Sequence, residues 1–321
     1  MTPEKADQHT GAGNADGADL RRQGGRTKRA AAVGCGRILD AVSESEVRTA
    51  LQTMRTGSAA GPDRLSVQDL TRKVGERPGF LAGVYTIWLM AGKVPEKLKE
   101  SRSLLLPKGT SNLDQIGNWR LLSINSVLLR LYSKILAKRL TRTITLHPAQ
   151  RGFISAPGVE QNSVLLEHVI RKQQKGKGTH AVAFLDLAKA FDTVYHDLMV
   201  KGLIRLGVPN QFIDVVEDLF DGAKTTFKTA EGKTRPIQIN QGVKQGDPLS
   251  PILFNACLDP LFCSLERDGV GWTCEDVSVT ALGYADDTAV LSKSREGLER
   301  NLALVQAYCD RVGLRLNVKK S

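Results

Sequence analysis

This sequence has little with which to bind zinc or to cross-link itself. Its five cysteines, Cys35, Cys257, Cys263, Cys274 and Cys309, are odd in number and form no C-x-x-C pair, and the five histidines do not gather around them. That scatter argues against a zinc site and a disulfide framework, and for a reducing intracellular compartment. No apolar run reaches the ~20 residues of a membrane span and no secretory leader pattern is visible, so a soluble protein is expected. Internal repeats are lacking too. One candidate phosphate loop, "EGKT" at Glu231 to Thr234, has Phe227 where the first glycine belongs, and so fails.

Acidic residues are also in deficit. Asp and Glu number 34 against 45 Lys and Arg, giving a formal net charge of +11 and a pI near 9.5. The excess favours a polyanionic partner, nucleic acid above all, although a solvated basic surface would read the same way. It is also localised. Arg120 to His180 holds eleven Lys and Arg against two acids, Glu160 and Glu167. Within it, "SVLLRLYSKILAKRLTRTI" predicts a helix whose apolar face is Val127, Leu128, Leu131, Ile135 and Leu140. Arg130, Lys134, Lys138 and Arg142 recur every four residues beside that face. A phosphate-facing surface explains this stripe best.

Residues 1 to about 35 are rich in Gly, Ala and charge without apolar period, so a disordered basic tail is expected. Its patch "RRQGGRTKR" fits a nuclear address or nucleic-acid tether as well as a solvated tail. Order is expected from Ser43, which with Glu46 fits a capping box ahead of Val47, Ala50, Leu51 and Met54. "GSAAGPDRL" ends that helix. Further helices are predicted from about Gly79 to Met90, from Leu198 to Leu206, from Gln211 to Phe220, through "DPLSPILFNACLDPLFCSLE", and from Leu298 to a stop at Gly313. "SRSLLLPKG" predicts a strand ending at Pro107, "TTFKTAEGKTRPIQI" a hairpin, "VTALGYADDTAVLSKS" two strands around a turn, and "LRLNV" a last strand. Helices and strands mix without a βαβ rhythm, which argues for an α+β fold with an antiparallel sheet.

Asp286 and Asp287 sit side by side in the apolar stretch "GYADDTAVL", at the tight turn, where their side chains project beyond the sheet end. Alone, two aspartates in a turn are ordinary turn chemistry. "AFLDLAKAFD" puts Asp186 at the end of a buried strand, where helix capping is the alternative role. If the two strands are neighbours in one sheet, the carboxylates converge, and a cation must compensate their repulsion. Oxygen ligands with vacant positions suit Mg²⁺, and two such ions about 3.5–4 Å apart would clamp an in-line phosphoryl displacement.

In order along the chain, "LLLPKG", "NWRLLSI", "QRGF", "FLDLAKAFDTV", "QGVKQGDPLSPILFN", "YADD" and "GLRLNVKKS" resemble the polymerase motifs of reverse transcriptases. The match runs from about Gly61 to Ser321. Its details are similar to non-LTR retrotransposons, especially elements that insert into ribosomal RNA genes. The resemblance implies a right-hand polymerase: fingers over residues 36–180, then a palm over 181–321 with inserted fingers-like helices and a hairpin, and no thumb. It implies that Asp186 and Asp286 hold two Mg²⁺ ions, Mn²⁺ being the substitute, with the Leu187 carbonyl as a backbone ligand and Asp287 in support. Phe191 would lie under the incoming sugar and exclude a 2′-hydroxyl; its other reading is a core aromatic. Lys108 and Arg120 would contact the triphosphate, where cations stabilise developing charge; their other reading is surface charge. Gln245 and Gly246 would let backbone approach the nucleotide or template, or be a plain turn. Lys320, three residues after Asn317, would donate a proton to pyrophosphate.

The function so implied is RNA-directed DNA polymerisation: a nucleotidyltransferase extending a DNA primer on an RNA template with dNTPs, in target-primed retrotransposition in the nucleus. A bulky Phe191 argues against an RNA-copying RNA polymerase, which needs the 2′-hydroxyl. Two other readings stay open: a catalytically silent nucleic-acid-binding remnant, and a group II intron-type reverse transcriptase. Two departures stand out, Leu121 where the family usually has Pro and Arg64 where Gly is common. No membrane partner is expected, and neither a thumb, an endonuclease domain nor a zinc-finger spacing is expected within these residues.

Overall fold

Local signals set the helices of this computed structural model, which describes residues 35–109, 112–154, 157–175, 180–229, 232–274 and 277–321. The expected basic tail up to Gly34 lies outside the described residues. Ser43 caps α1 (Glu44–Gln52) in a closed capping box: its hydroxyl accepts from the Glu46 N–H, and the Glu46 carboxylate accepts from the Ser43 N–H. A second box, Ser66 with Asp69, opens α2 (Val67–Glu76), a helix the sequence reading did not mark. α3 (Pro78–Ala91) starts on proline and stops at Gly92 in the left-handed region.

α4 (Val127–Thr143) buries Val127, Leu131, Ile135 and Leu140, as the spacing predicts. Its basic stripe is a partial correction. Arg130 Nη2 donates to the Ala59 carbonyl at 2.8 Å and Lys134 Nζ to the Thr53 carbonyl at 2.9 Å. The loop broken by Gly57, Gly61 and Pro62 leaves its carbonyls without helix or strand partners, and these two cations supply donors. Lys138 and Arg142 remain exposed.

Besides short turns of helix at Cys35–Leu39, Glu96–Lys99 and Ile116–Asn118, there follow α5 (Gly158–Lys175), α6 (Ala190–Thr193), α7 (His196–Arg205), α8 (Asn210–Phe220), α9 (Ser250–Asp268) and α10 (Arg295–Val312). α9 is buried nearly all round, from Ile252 through Phe254, Leu258 and Phe262 to Leu265, so it serves as the central post of the core. α10 ends on Gly313 at φ 74°.

Two sheets position the chemistry. The larger has the order β2 (Trp119–Asn125), β1 (Glu100–Pro107), β4 (Lys224–Thr229), β5 (Gly232–Lys233), with β6 (Ile237–Gln238) also on β4. The smaller has the order β3 (Ala181–Leu185), β10 (Asp287–Ser292), β9 (Ala281–Tyr284) and is antiparallel throughout. A separate ribbon pairs β7 (Trp272–Cys274) with β8 (Val277–Val279). The antiparallel sheet expected in the palm segment is the smaller one, whereas in the larger sheet β1 and β4 run parallel. Parallel neighbours need a long crossover, and the whole segment from Pro107 to Lys224 provides one.

Two strand readings are corrected. β3 is an edge strand, not a strand buried on both sides, and Phe184 is 59% exposed. Its continuous apolar run covers one core face and leaves the other open. "LRLNV" makes a single bridge, Leu187 to Leu316, and no strand. Asn317 turns its backbone and side chain to Asp186, and the Lys320 and Ser321 N–H groups fold back on the Asn317 carbonyl.

The family departure at position 64 has a backbone cause. Arg64 holds φ 59°, a region where a Cβ costs about 1–2 kcal/mol and glycine is at ease. Arg64→Gly is expected to raise stability by roughly 0.5–1 kcal/mol after glycine's entropy cost. Urea denaturation checks this, and a lower midpoint would contradict it.

Candidate active site

The β9–β10 hairpin aims the paired aspartates. Asp287 pairs with Tyr284, which leaves Ala285 and Asp286 as a two-residue loop. Ala285 sits at φ 58°, the positive value that a type II′ turn demands at its first central position and that glycine ordinarily supplies. The surroundings hold this strained residue in place. Gln150 is 2% exposed. Its Oε1 accepts from the Ala285 N–H at 2.9 Å and its Nε2 donates to the Ala285 carbonyl at 3.0 Å. The same Oε1 accepts from the Gly152 N–H at 2.9 Å.

Residues 149–151 run beside β9, with the Gly283 N–H donating to the Ala149 carbonyl and the Arg151 N–H to the Gly283 carbonyl. A Cβ on Gly152 would collide with the Ala285 backbone nitrogen, so glycine is required there. Asn255 Nδ2 fixes the Gly152 carbonyl at 2.7 Å. "QRGF" is thus the brace of the catalytic turn, a role the sequence reading did not give it.

Asp186 arrives on the neighbouring strand. Leu185 pairs with Thr288, so one step further Asp186 and Asp287 leave the same end of the sheet. Asn317 Nδ2 donates to Asp186 Oδ2 at 2.7 Å, and the Asn317 N–H donates to the Asp186 carbonyl at 2.8 Å. The Asp186 N–H reaches Ser321 Oγ at 3.3 Å. Leu187, whose carbonyl was the expected backbone ligand, is buried against Leu316 by the isolated bridge. In the sequence Asn317 stands out only by its spacing from Lys320. Its signal there was its place in "GLRLNVKKS", and nothing local predicts that its amide holds a carboxylate.

The electrostatics fit a cation site. Among the described residues, no ion pair includes Asp186, Asp286 or Asp287. Burial pushes the Asp286 carboxyl above the usual carboxylate range, and repulsion from Asp287 and Asp186 adds to the rise, against a backbone hydrogen bond. Nor, among the described residues, do three His, Cys, Asp or Glu side chains gather into a ready-made metal cage. A hard divalent ion that keeps waters and takes substrate phosphates does not need one. Unpaired, mutually repelling oxygen donors are the donor set that such an ion fits.

An aromatic wall stands beside the turn. Phe191 on α6 stacks on Phe254 with ring centroids 4.3 Å apart and meets Phe153 edge-on at 6.2 Å. Phe153, 47% exposed and at φ 57°, lies 6.3 Å from the Tyr284 ring. The 242–247 loop then joins this wall to the larger sheet. The Val243 N–H donates to the Phe191 carbonyl, Gln245 Nε2 to Asp192 Oδ1 at 2.8 Å, and the Ser123 N–H to the Gln245 carbonyl. A Cβ on Gly246, which sits at φ 102°, would press on the Leu122 side chain and the Ser123 carbonyl. Asp247 anchors the loop, accepting from Asn125 Nδ2 at 2.9 Å and Ser133 Oγ at 3.1 Å. Burial pushes its carboxyl up and pushes the nearby Lys244 down to about 8.

Asp186, Leu187, Asp286, Asp287 and Phe191 therefore converge at one end of the smaller sheet. Lys320 is exposed in the turn after Asn317. Lys108 and Arg120 are exposed at one end of the larger sheet, Lys108 Nζ donating to the Gly117 carbonyl at 3.1 Å, and Gln245 and Gly246 form the link between the two sheets.

Two strands ending in carboxylates beside an aromatic wall are the palm of a nucleotide polymerase, and the wider comparisons agree. The reverse transcriptase (RNA-dependent DNA polymerase) family matches residues 106–321, and the chain belongs to that family, as its motif order implied. It is 38% identical over 282 residues to the Pol polyprotein of the type-1 retrotransposable element R2 of Popillia japonica. It is 33% identical over 280 residues to that of Nasonia vitripennis, and 31% over 284 to the type-2 element R2DM of Drosophila melanogaster. These matches take in 87%, 87% and 88% of this chain, but it spans only 39%, 26% and 26% of those polyproteins. Telomerase from Candida tropicalis, solved in complex with a telomeric RNA fragment, superposes with a TM-score of 0.51 at 13% identity, over 80% of this chain and 44% of that one. At that identity the likeness shows the fold alone.

Gln150→Ala leaves the buried Ala285 N–H and carbonyl unpaired, and is expected to lower stability by about 2–3 kcal/mol in chemical denaturation; a loss under a few tenths would remove the brace role. The Asp286 shift has a definite sign. A carboxyl whose folded-state pKa is raised costs stability above that pKa and costs none once both states are protonated. Asp286→Asn should therefore raise the melting temperature of chelator-treated protein at neutral pH, with the gain vanishing as the pH falls below the ordinary carboxylate range. A gain that persists in acid would refute the charge origin.

Proposed function

We propose that the protein of which this chain is part extends a DNA primer on an RNA template with dNTPs, in target-primed retrotransposition in the nucleus. The observation that carries this reading is the set of unneutralised aspartates, Asp186, Asp286 and Asp287, at the shared end of β3 and β10 with Phe191 alongside. In this reading Asp186, Asp286, Asp287 and the Leu187 carbonyl hold two Mg²⁺ ions, with Mn²⁺ as a substitute. Bound there, such ions supply charge stabilisation to the attacking and leaving oxygens.

The chain's own residues do the rest. Asn317 orients the Asp186 carboxylate, and Gln150 keeps Asp286 at the tip of a rigid turn. Phe191, backed by Phe254, cannot retreat when a 2′-hydroxyl presses on it, so deoxynucleotides are selected. Lys108 and Arg120 bring positive charge to the triphosphate. Gly246 lets backbone lie close to the nucleotide or template, with Gln245 locked by Asp192. Lys320 gives a proton to the leaving pyrophosphate.

Primer extension on an RNA template tests the reading, with this chain and with its longer parent. Extension should depend on a divalent cation and vanish in Asp186→Asn. Phe191→Val should raise ribonucleotide incorporation roughly tenfold or more, the worth of one relieved steric contact. Absence of extension by the folded parent protein would overturn the proposal, and unchanged sugar selectivity would remove Phe191 from its role.

A further inference from the structure

The larger sheet carries charge that the site described above does not use. Lys228 in β4 and Lys233 in β5 are direct partners in an antiparallel pair. Side chains so placed stand about 5 Å apart at Cβ, and like charges there destabilise a hairpin. Both lysines are exposed. Among the described residues no ion pair involves either of them, nor Lys224 or Arg235 on the same segment. The unfavourable pair calls for an anion from outside the chain.

The register extends the pattern across the sheet. Ser103 is level with Phe227, so Lys228 is level with Leu104, which is paired with Leu122 in β2. Arg120 is two residues from Leu122 on the same strand, and alternate residues share a face. One face therefore presents Lys233, Lys228, Leu104, Leu122, Leu106 and Arg120, while the other buries Ser101, Ser103, Ser123 and Thr225. At a strand spacing of about 4.8 Å, Lys228 and Arg120 lie roughly 12 Å apart at Cα. The acid on this face, Glu100, is level with Lys224, at the other end from the lysine pair. Glu231, in the β4–β5 turn, lies outside the described residues.

We infer that this open face is a track for the unpaired RNA template approaching the site, with the Lys228–Lys233 pair gripping its phosphates. The identity of the strand rests on the polymerase reading. Arg120 marks the end nearest the incoming nucleotide, and Lys228 stands about 12 Å further along the same face. An unpaired strand can rest its bases on Leu104, Leu106 and Leu122 and its phosphates on the cations, whereas a duplex hides its bases.

The test is equilibrium binding of the full chain, without dNTPs, to primer–template duplexes with a long 5′ template overhang or with blunt ends. Lys228→Gln with Lys233→Gln should weaken long-overhang binding several-fold and flatten its log-affinity against log-salt slope by about 1.4, two phosphates at about 0.7 each. Blunt duplex should bind as before, and Lys228→Arg with Lys233→Arg should retain the long-overhang affinity. The Gln pair should melt no lower than the unaltered chain, because a repulsive pair has gone. Unchanged affinity and slope, or an equal loss on blunt duplex, would overturn the track. Because no extension is read, this outcome is separate from failure of the polymerase reading.

Discussion

The hydrogen bonds between the Gln150 amide and the backbone of Ala285 are the contact on which the catalytic end depends. A two-residue turn with alanine in the left-handed region has better alternatives, and a free hairpin would take them. The buried amide closes those alternatives by satisfying both backbone groups of one residue at once. Asp286 then leaves the turn in a single direction. Its carboxylate can be forced near Asp287 and Asp186 because the backbone beneath it cannot relax to relieve the repulsion. Rigidity and electrostatic frustration are therefore two aspects of one arrangement, and they hold ready the oxygen donors that a cation would require.

The second constraint is the 242–247 loop. It is anchored by Asp247 beneath α4 and hydrogen-bonded to Ser123 on one side and to Phe191 and Asp192 on the other. A displacement of β2, which carries Arg120, is thus felt at the aromatic wall. The glycine at position 246 allows this close approach, and the buried, paired state of Asp247 keeps the anchor from sliding. Nucleotide-facing and metal-facing residues come from different sheets, yet they share one short piece of backbone.

Much of this was legible in the sequence, for identifiable reasons. Capping at Ser43, the apolar face of Val127 to Leu140, the stop at Gly313 and the hairpin around Asp286 are local features, and local chemistry decides them. The convergence of Asp186 with Asp286 followed once their strands were taken as neighbours. What escaped were interactions that only tertiary contact creates. Gln150 is one letter of "QRGF" with no role of its own until it meets Ala285, and Asn317 is one letter of "GLRLNVKKS" until it meets Asp186. Arg130 and Lys134 read as phosphate ligands because a periodic stripe cannot reveal that loop carbonyls lie above it. β3 read as buried because an apolar run does not show whether it lies at an edge, and the parallel β1–β4 pair needed the path of the intervening chain.

The bonds that make the aspartate site are also among those that span the most chain. Gln150 reaches Ala285 across 135 positions, and Asn317 reaches Asp186 across 131. Closing such loops is slow in folding, because the entropy is lost before the contacts repay it. The carboxylate end joins segments from four remote parts of the chain, so it carries both the largest loop-closure cost and the strongest charge repulsion in the site. The packed core around it must offset both at once.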